Sequence, residues 1–422
     1  MKGKTNKILL PEVVILSVKL KLETTKSQYN DLRTLALACK DGKNFVSKIS
    51  FETKNRNKLD LHNLTYNILR EEYKLPSQIS CSIIREVAAQ YKSIATTRMD
   101  KKYSKPQTQP AKFGAQTINL QSKKDFSFNH DIVSIKTLTG RMKVSYKGYN
   151  KHIDYINQFG ANGGLLYFDT VNKIVYLIVT IEVPTNFQPL EDFNNFIGVD
   201  VGQRKLAVTV NTKTKKTEMY FGKTTLRIKD SYSKKRAELQ AKGTRSAKRR
   251  LRSISGRERR FIKDVNHCIA NSIVEEHSII GIEDLTNIRE NTETKSNKKH
   301  SKKKKDANRR KSQWSFFDLQ GSIAYKSYMK SSLPVFVDPY KTSQQCPKCG
   351  FADSGNRKNK GEEFVCLHCS YSADADFIGG LNIGLRAKYV KEVFSGHLSI
   401  VPSVSDVEVK AWFRLRFQEL RF

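Results

Sequence analysis

Acidic residues are scarce in this 422-residue chain: 41 Asp and Glu stand against 76 Lys and Arg, a formal net charge of +35. Such an imbalance points first to a polyanionic partner, of which nucleic acid is the commonest. A membrane surface is the rival partner, but no apolar run approaches the roughly 18 residues of a spanning helix. Lys2, Lys4 and Lys7 precede the apolar stretch from Ile8 to Leu20, yet Pro11 and Glu12 interrupt it and no small-residue cleavage site follows. A signal peptide is therefore not expected. Cysteine is sparse as well, with 7 in all. Cys39, Cys81 and Cys268 are scattered in apolar surroundings and are expected to be buried as small hydrophobes. This pattern excludes an oxidised extracellular framework and makes a reducing cytoplasm the default. No internal repeat is evident, and the length exceeds that of one ordinary core, which suggests two to four domains.

What is present is organised around Phe196-Ile197-Gly198-Val199-Asp200, an apolar run ending in one acid and followed by the β-rich run Leu206 to Val210. An isolated ionised carboxylate among apolar neighbours is expensive to desolvate, so Asp200 is expected at the edge of a sheet and paired, hydrogen-bonded or metal-bound. Two other stretches match it. Ser278 to Leu285 is an apolar strand candidate carrying Glu283, and Asp374-Ala375-Asp376 opens an apolar helix. Three acids so far apart share a site only if two strands and a helix converge. That is the logic of an RNase H-like nuclease fold, in which separate carboxylates hold divalent metal beside a phosphodiester.

The rest of the chain reads as follows. Val13 to Leu22 alternates with period two, as a half-buried strand does. Helical spacing follows, with Tyr29, Leu32, Leu35 and Ala36 on one face, a second helix over Leu61 to Leu75, and a third over Gln78 to Thr97 with Ile79, Ile83, Val87 and Ala88 inward. Lys101 to Gly114 reads as a linker. The β signal returns at Ile132, Met142, Gly164 and Lys173 to Val183, the last two forming a hairpin. A small β-barrel is expected from the first strand plus roughly 115 to 185, with a helical insertion.

Thr225 to His277 reads as one long helical region. From Lys223 to Asp264 there are sixteen Lys and Arg against four acids. Solvated helix faces usually mix signs, so this one is expected to face phosphates, with Lys248, Arg249 and Arg250 as contacts. Residues 289 to 311 carry eleven basic side chains against three acids and are expected to form a disordered basic loop. A helix starting at Gln313 and a strand at Val335 to Val337 follow.

Cys346, Cys349, Cys366 and Cys369 form the pattern C-x₂-C-x₁₆-C-x₂-C. Four thiolates so spaced suit a structural tetrahedral zinc site, with His368 pointing away.

Together, Gly198 to Gly202, Ile282 to Leu285, Asp338 to Gln344, the four cysteines, Asp353 to Arg357 and Ala373 to Asp376 resemble the TnpB family, transposon-encoded relatives of type V CRISPR effectors. The matching motifs cover roughly 196 to 387. The resemblance implies an α/β multidomain protein: a β-barrel wedge domain at 1–24 and 104–190, a helical recognition domain at 25–103, a RuvC-like nuclease domain at 191–344 and 371–394, a zinc ribbon at 345–370, and a tail at 395–422. It further implies an RNA-guided DNA endonuclease whose partners are a guide RNA and double-stranded target DNA cut beside a short target-adjacent motif. Asp200, Glu283 and Asp376 would be the catalytic ligands of Mg²⁺ or Mn²⁺, the four cysteines would hold Zn²⁺, and Arg357 would lie near the scissile strand. A monomer without membrane attachment is the expectation, in a prokaryotic cytoplasm beside the nucleoid, or in the nucleus for a eukaryotic relative. A compact type V CRISPR effector and a nuclease-inactive RNA-guided repressor are the alternatives. One departure stands out: the family reads Asp-x-Asn-Ala-Ala-x-Asn-Ile where this chain has Asp376-Phe377-Ile378-Gly379-Gly380-Leu381-Asn382-Ile383, which predicts a looser helix start. Asp374 competes with Asp376 as the ligand, or caps the helix.

Overall fold

The computed structural model describes residues 11–99, 108–202, 204–285 and 316–394. The expected basic loop at 289–311, the helix start at Gln313, most of the Lys101 to Gly114 linker's first half and the tail lie outside the described residues. The chain divides into two compact units, one of Val13–Pro184 and one of Met1–Glu12 with Thr185–Phe422.

In the Val13–Pro184 unit, β1 (Val13–Leu22) is followed by α1 (Lys26–Glu52), α2 (Lys58–Glu71) and α3 (Ser77–Met99). Then come β2 (Thr117–Gln121), β3 (Phe126–Asn129), β4 (Ile132–Lys136), β5 (Arg141–Lys147), α4 (Asn150–Phe159), β6 (Gly163–Asp169) and β7 (Ile174–Pro184). The strands pair antiparallel in the order β2-β6-β7-β1-β5-β4-β3. Alternation along β1 and β7 buries Val14, Val18, Leu20 and Leu22 with Val175, Leu177, Val179 and Ile181 on one face. The expected closed barrel is instead a curled half-barrel, because β2 and β3 remain the sheet's edges. The helices bury the stripes that their spacing predicted, including Leu32, Leu35, Ile79, Ile83 and Val87. Lys43 of α1 is only 2% exposed, its ammonium 2.8 Å from Glu86 of α3 and 3.2 Å from the carbonyl of Thr117. That buried charge is satisfied by a carboxylate and a carbonyl, and it ties the helices to β2.

The other unit is built on β8 (Asn195–Asp200), β9 (Lys205–Asn211), β10 (Thr217–Phe221), β11 (Ser278–Glu283) and β12 (Leu333–Val337). The sheet order is β10-β9-β8-β11-β12, with β8, β11 and β12 parallel and β9 and β10 antiparallel. Helices α7 (Arg257–Ile273) and α8 (Phe316–Met329) cover one face through Ile269, Ile273, Phe316 and Ile323. Helix α9 (Ala375–Phe394) covers the other through Leu381, Ile383, Ala387 and Val390. Central strands buried on both faces read as continuous apolar runs, which is why Phe196-Ile197 and Ile279-Ile280 do not alternate. Asp200 consequently ends the central strand of the sheet and not an edge strand.

The long basic helical region consists of three helices, α5 (Lys223–Lys242), α6 (Arg245–Ile254) and α7, separated at Gly243 and Gly256, both left-handed with φ of 61° and 74°. Two further expectations change. Cys39 is buried, but Cys81 is partly exposed and Cys268 exposed. The buried face of α7 runs through Ile262, Asn266, Ile269, Ala270 and Ile273, so apolar neighbours in sequence place Cys268 on the opposite side. The glycines of α9, lastly, make its packing tighter. A Cβ on Gly198 would lie 1.9 Å from the Gly380 carbonyl oxygen, and one on Gly384 would lie 2.9 Å from the Gly198 nitrogen. At the two positions where the family has alanine, a Cβ on Gly379 would lie 2.8 Å from Asp200 Oδ2 and one on Gly380 2.7 Å from Val210 Cγ2.

Candidate functional site

Strands β8 and β11 run parallel with Ile282 opposite Val199, so Asp200 and Glu283 leave the sheet side by side at its carboxyl end. That end is where open α/β sheets bind ligands. Asp376 lies in the first turn of α9. Gly379, one turn on, leaves room for Asp200, since a Cβ there would sit 2.8 Å from Asp200 Oδ2. The three carboxylates thus form a row ordered Asp376, Asp200, Glu283. Burial, followed by the charge of Asp376, pushes Asp200 up to about 6. Burial, followed by the charge of Asp200, pushes Glu283 up to about 8. Asp200 and Glu283 both resist ionisation, and with Asp376 they make an all-oxygen donor set of the kind that suits a hard divalent cation.

Side-chain cations stand towards both ends of the row: Lys205 and Arg357 beside Asp376, and the buried Arg386 near enough to Glu283 for its charge to act on that acid. Lys205 Nζ is 2.8 Å from Asp376 Oδ2 and 3.7 Å from Asp374 Oδ2. Arg357 Nη2 is 4.0 Å from Asp376 Oδ1 and donates to the Gly361 carbonyl at 2.6 Å. Arg357 therefore stands beside Asp376. Sequence reading missed Lys205, although its place follows from the tight β8–β9 hairpin that returns β9 beside Asp200. It also quoted Thr342 within a motif without giving it a role; its hydroxyl donates to Glu283 Oε1 at 2.5 Å.

Asp374 Oδ1 accepts from the backbone N–H groups of Asp376 and Phe377 at 2.9 and 3.0 Å, an N-cap on α9. Asp374→Ala is expected to cost about 1 kcal/mol of stability in a denaturant melt and to leave any metal requirement unchanged.

The four cysteine sulfurs all lie within 4.8 Å of one another, the only such gathering of candidate ligands among the described residues; Asp200, Glu283 and Asp376 are not drawn together this closely. Cys346 and Cys369 are 3.6 Å apart, as are Cys349 and Cys366. Four thiolates at a zinc–sulfur distance of about 2.3 Å define tetrahedral edges of about 3.8 Å, so the set fits Zn²⁺. Backbone N–H groups of Lys348 and Cys349 point at Cys346, and those of Phe351 and Tyr371 at Cys349 and Cys369. His368 stacks on Phe351 at 5.8 Å and stays out of the sulfur cluster. The small sheet β13 (Arg357–Lys358), β14 (Glu363–Val365) and β15 (Ser372–Asp374) joins this knuckle to α9, with Phe364, Ala375 and Ile378 packed beside the sulfurs.

Lys248, Arg249 and Arg250 are exposed on α6, and no contact joins them to the acids. A cleft of about 790 Å³ in the Val13–Pro184 unit is lined by Arg85, Glu86, Gln90, Asn119 and Thr180 and contains none of the acids.

Residues 176–293 match a family described as a probable transposase, and residues 316–383 match the Cas12f1-like TNB domain. A TnpB-like protein of Methanocaldococcus jannaschii is 28% identical over 66% of this chain and 99% of its own length. The likeness is to TnpB- and Cas12f-type proteins, at the level of the family. A CRISPR-associated endodeoxyribonuclease Cas12f1 of Sulfoacidibacillus thermotolerans is 34% identical over 30% of this chain, which spans only 27% of that relative. A solved Cas12f1–sgRNA–target DNA complex contains a chain of the same fold, with a TM-score of 0.57, 14% identity, and coverage of 89% of this chain and 99% of that one. No described helix is long and apolar enough to cross a membrane.

Proposed function

We propose that the chain is an RNA-guided, metal-dependent DNA endonuclease whose RNase H-like (RuvC) domain cuts with Asp200, Glu283 and Asp376. The observation that carries this reading is the meeting of Asp200 and Glu283, both raised by burial and a neighbouring acid at the ends of two adjacent parallel strands, with Asp376 in the first turn of α9. Asp200, Glu283 and Asp376 would hold Mg²⁺ or Mn²⁺, which supplies Lewis-acid stabilisation of charge developing at phosphorus. The protein's own part is to hold three acids in one row, to keep Lys205 and Arg357 at its open end, and to bury its far end so that electrostatics are strong. In this reading residues 191–344 and 371–394 form the nuclease, 345–370 the zinc ribbon, 25–103 a helical recognition domain, and 1–24 with 104–190 the wedge. The relatives' names supply the rest: an endodeoxyribonuclease, and a complex with guide RNA and target DNA. In sequence the match spans 99% of the TnpB-like relative, against 27% of one Cas12f1 and 48% of another, which favours a TnpB-type protein over a CRISPR effector.

Sequencing the RNA that co-purifies, followed by cleavage of a plasmid library by that complex in Mg²⁺, tests the reading. A discrete structured RNA with a variable end, and cuts at sites matching that end, are expected. Random cellular RNA would reduce the protein to an electrostatic binder.

The exposed basic face of α6 is assigned to nucleic-acid backbone. Neutralising Lys248, Arg249 and Arg250 is expected to weaken binding equally for all sequences. The slope of log K against log salt should fall by about one unit per lost phosphate contact. An unchanged slope in a salt titration would leave this face merely solvated.

A further inference from the structure

The loop between β12 and the cysteine cluster is held down at several points by α9. Asn382, 4% exposed, donates both amide hydrogens, to the Thr342 carbonyl at 2.7 Å and to the Gln345 carbonyl at 2.8 Å. One helical turn on, Arg386, also 4% exposed, donates to the Asp338 carbonyl at 2.6 Å and to Gln345 Oε1 at 3.0 Å. The i, i+4 spacing puts both side chains on one face of α9, so a single helix surface fixes the loop's two ends. From the cysteine side, Asn356, fully buried, donates to the Gln344 carbonyl at 2.8 Å and accepts from Leu367 N at 2.9 Å. Lys341 Nζ reaches the Ala352 carbonyl at 3.1 Å. The loop is thus braced by α9 and by both knuckles of the cysteine module, and Cys346 follows Gln345 directly.

At the middle of this braced loop is Thr342, 3% exposed. Its hydroxyl has one proton and two acceptors in reach, Glu283 Oε1 at 2.5 Å and the Pro339 carbonyl at 3.2 Å. The shorter contact takes the proton, and it becomes charge-assisted when a cation ionises Glu283. One oxygen of Glu283 is then engaged by a rigid donor, and the other is left for a cation.

Resting on the nuclease reading above, we propose that Thr342 is a positioning residue of the carboxylate site: it fixes Glu283 for metal, and the cysteine module, through the braced loop, fixes Thr342. Groups that orient a metal ligand typically contribute 10- to 100-fold in metal affinity or activity. The four-cysteine module then has a part in the chemistry without touching it, because it holds one end of the loop that orients a ligand.

The test is a Mn²⁺ titration followed by the EPR signal of free Mn²⁺, run on the full chain as wild type, Thr342→Val and Thr342→Ser, with zinc content, melting temperature and cleavage measured alongside. Thr342→Val keeps the shape and removes the donor, so it should weaken Mn²⁺ binding and raise the metal concentration for half-maximal cleavage by about 10-fold or more, at unchanged zinc content. Thr342→Ser restores the donor and should recover most of both. Should Thr342→Val melt at a lower temperature, Thr342→Cys, similar in size with a weak S–H donor, repeats the comparison in a folded protein. Wild-type Mn²⁺ affinity in Thr342→Val would overturn the positioning role and leave the nuclease reading standing. Failure of the wild-type protein itself to bind Mn²⁺ would overturn that reading and this inference with it.

Discussion

Replacing any one of Asp200, Glu283 or Asp376 by its amide is expected to lower DNA cleavage by at least about 10³-fold and to leave RNA-directed target binding in place. The amide keeps the size of each side chain but removes a unit of negative charge from a row whose chemistry depends on gathering it. Cleavage by the wild-type complex should need Mg²⁺ or Mn²⁺ and stop in chelator. A gel-shift and a cleavage assay on the same preparations separate the two activities. Normal cutting by all three variants would sink the nuclease assignment. Cutting by Asp376→Asn but not by Asp374→Asn would move the third ligand to Asp374. The same variants carry a second, opposite effect. Asp200 and Glu283 have folded-state values raised to about 6 and about 8. Raised acids bind protons more tightly folded than unfolded, so the metal-free protein loses stability as pH rises from about 4 towards about 8. Asp200→Asn removes one such penalty. Without metal at pH 7 it should therefore be more stable than wild type by roughly 1 to 3 kcal/mol. The gain should shrink as pH falls and vanish by about pH 3, below the unfolded value of the carboxyl.

Cys366→Ser is expected to remove zinc and to unfold the module around it. Apparent zinc-binding free energies in such thiolate sites are about 10 to 16 kcal/mol, and in small modules this is folding free energy. Cys366 is 1% exposed and packs with Cys346, Phe364 and Ile378, so the vacated knuckle would expose the only core this segment has. Because the same knuckles brace the Thr342 loop, lost cleavage should accompany lost zinc. Metal analysis, solubility and cleavage on one preparation check this. A soluble, zinc-free Cys366→Ser protein with full activity would refute both the structural role and the link to Glu283.

Several features were legible in the sequence because they are local. The four-cysteine spacing is set by two tight turns, so it can be read without a fold, and the structure gathers those sulfurs. The stripes of α1 and α3 and the alternation of β1 are periodicities of single elements, and they marked buried faces correctly. Asp200, Glu283 and Asp376 could be singled out because each interrupts an apolar context at a cost.

What depends on pairing between distant segments could not be read in this way. Strand order decided that Asp200 ends a central strand, and sheet curvature decided that the N-terminal strands stop at a half-barrel. The Gly379-Gly380 pair looked like a weakness when α9 was considered alone, since glycine lowers helix propensity. Against the sheet the pair makes room, because a Cβ on Gly379 would lie 2.8 Å from Asp200 Oδ2 and one on Gly380 would lie 2.7 Å from Val210 Cγ2. Lys205 and Thr342 carried no signal that ranked them above other lysines and threonines. Their partners are 171 and 59 positions away in the chain, Asp376 for one and Glu283 for the other. A sequence records which side chains can donate a hydrogen bond or carry charge. The tertiary packing decides which of them meet, since contact energies depend on distances that only the folded backbone sets.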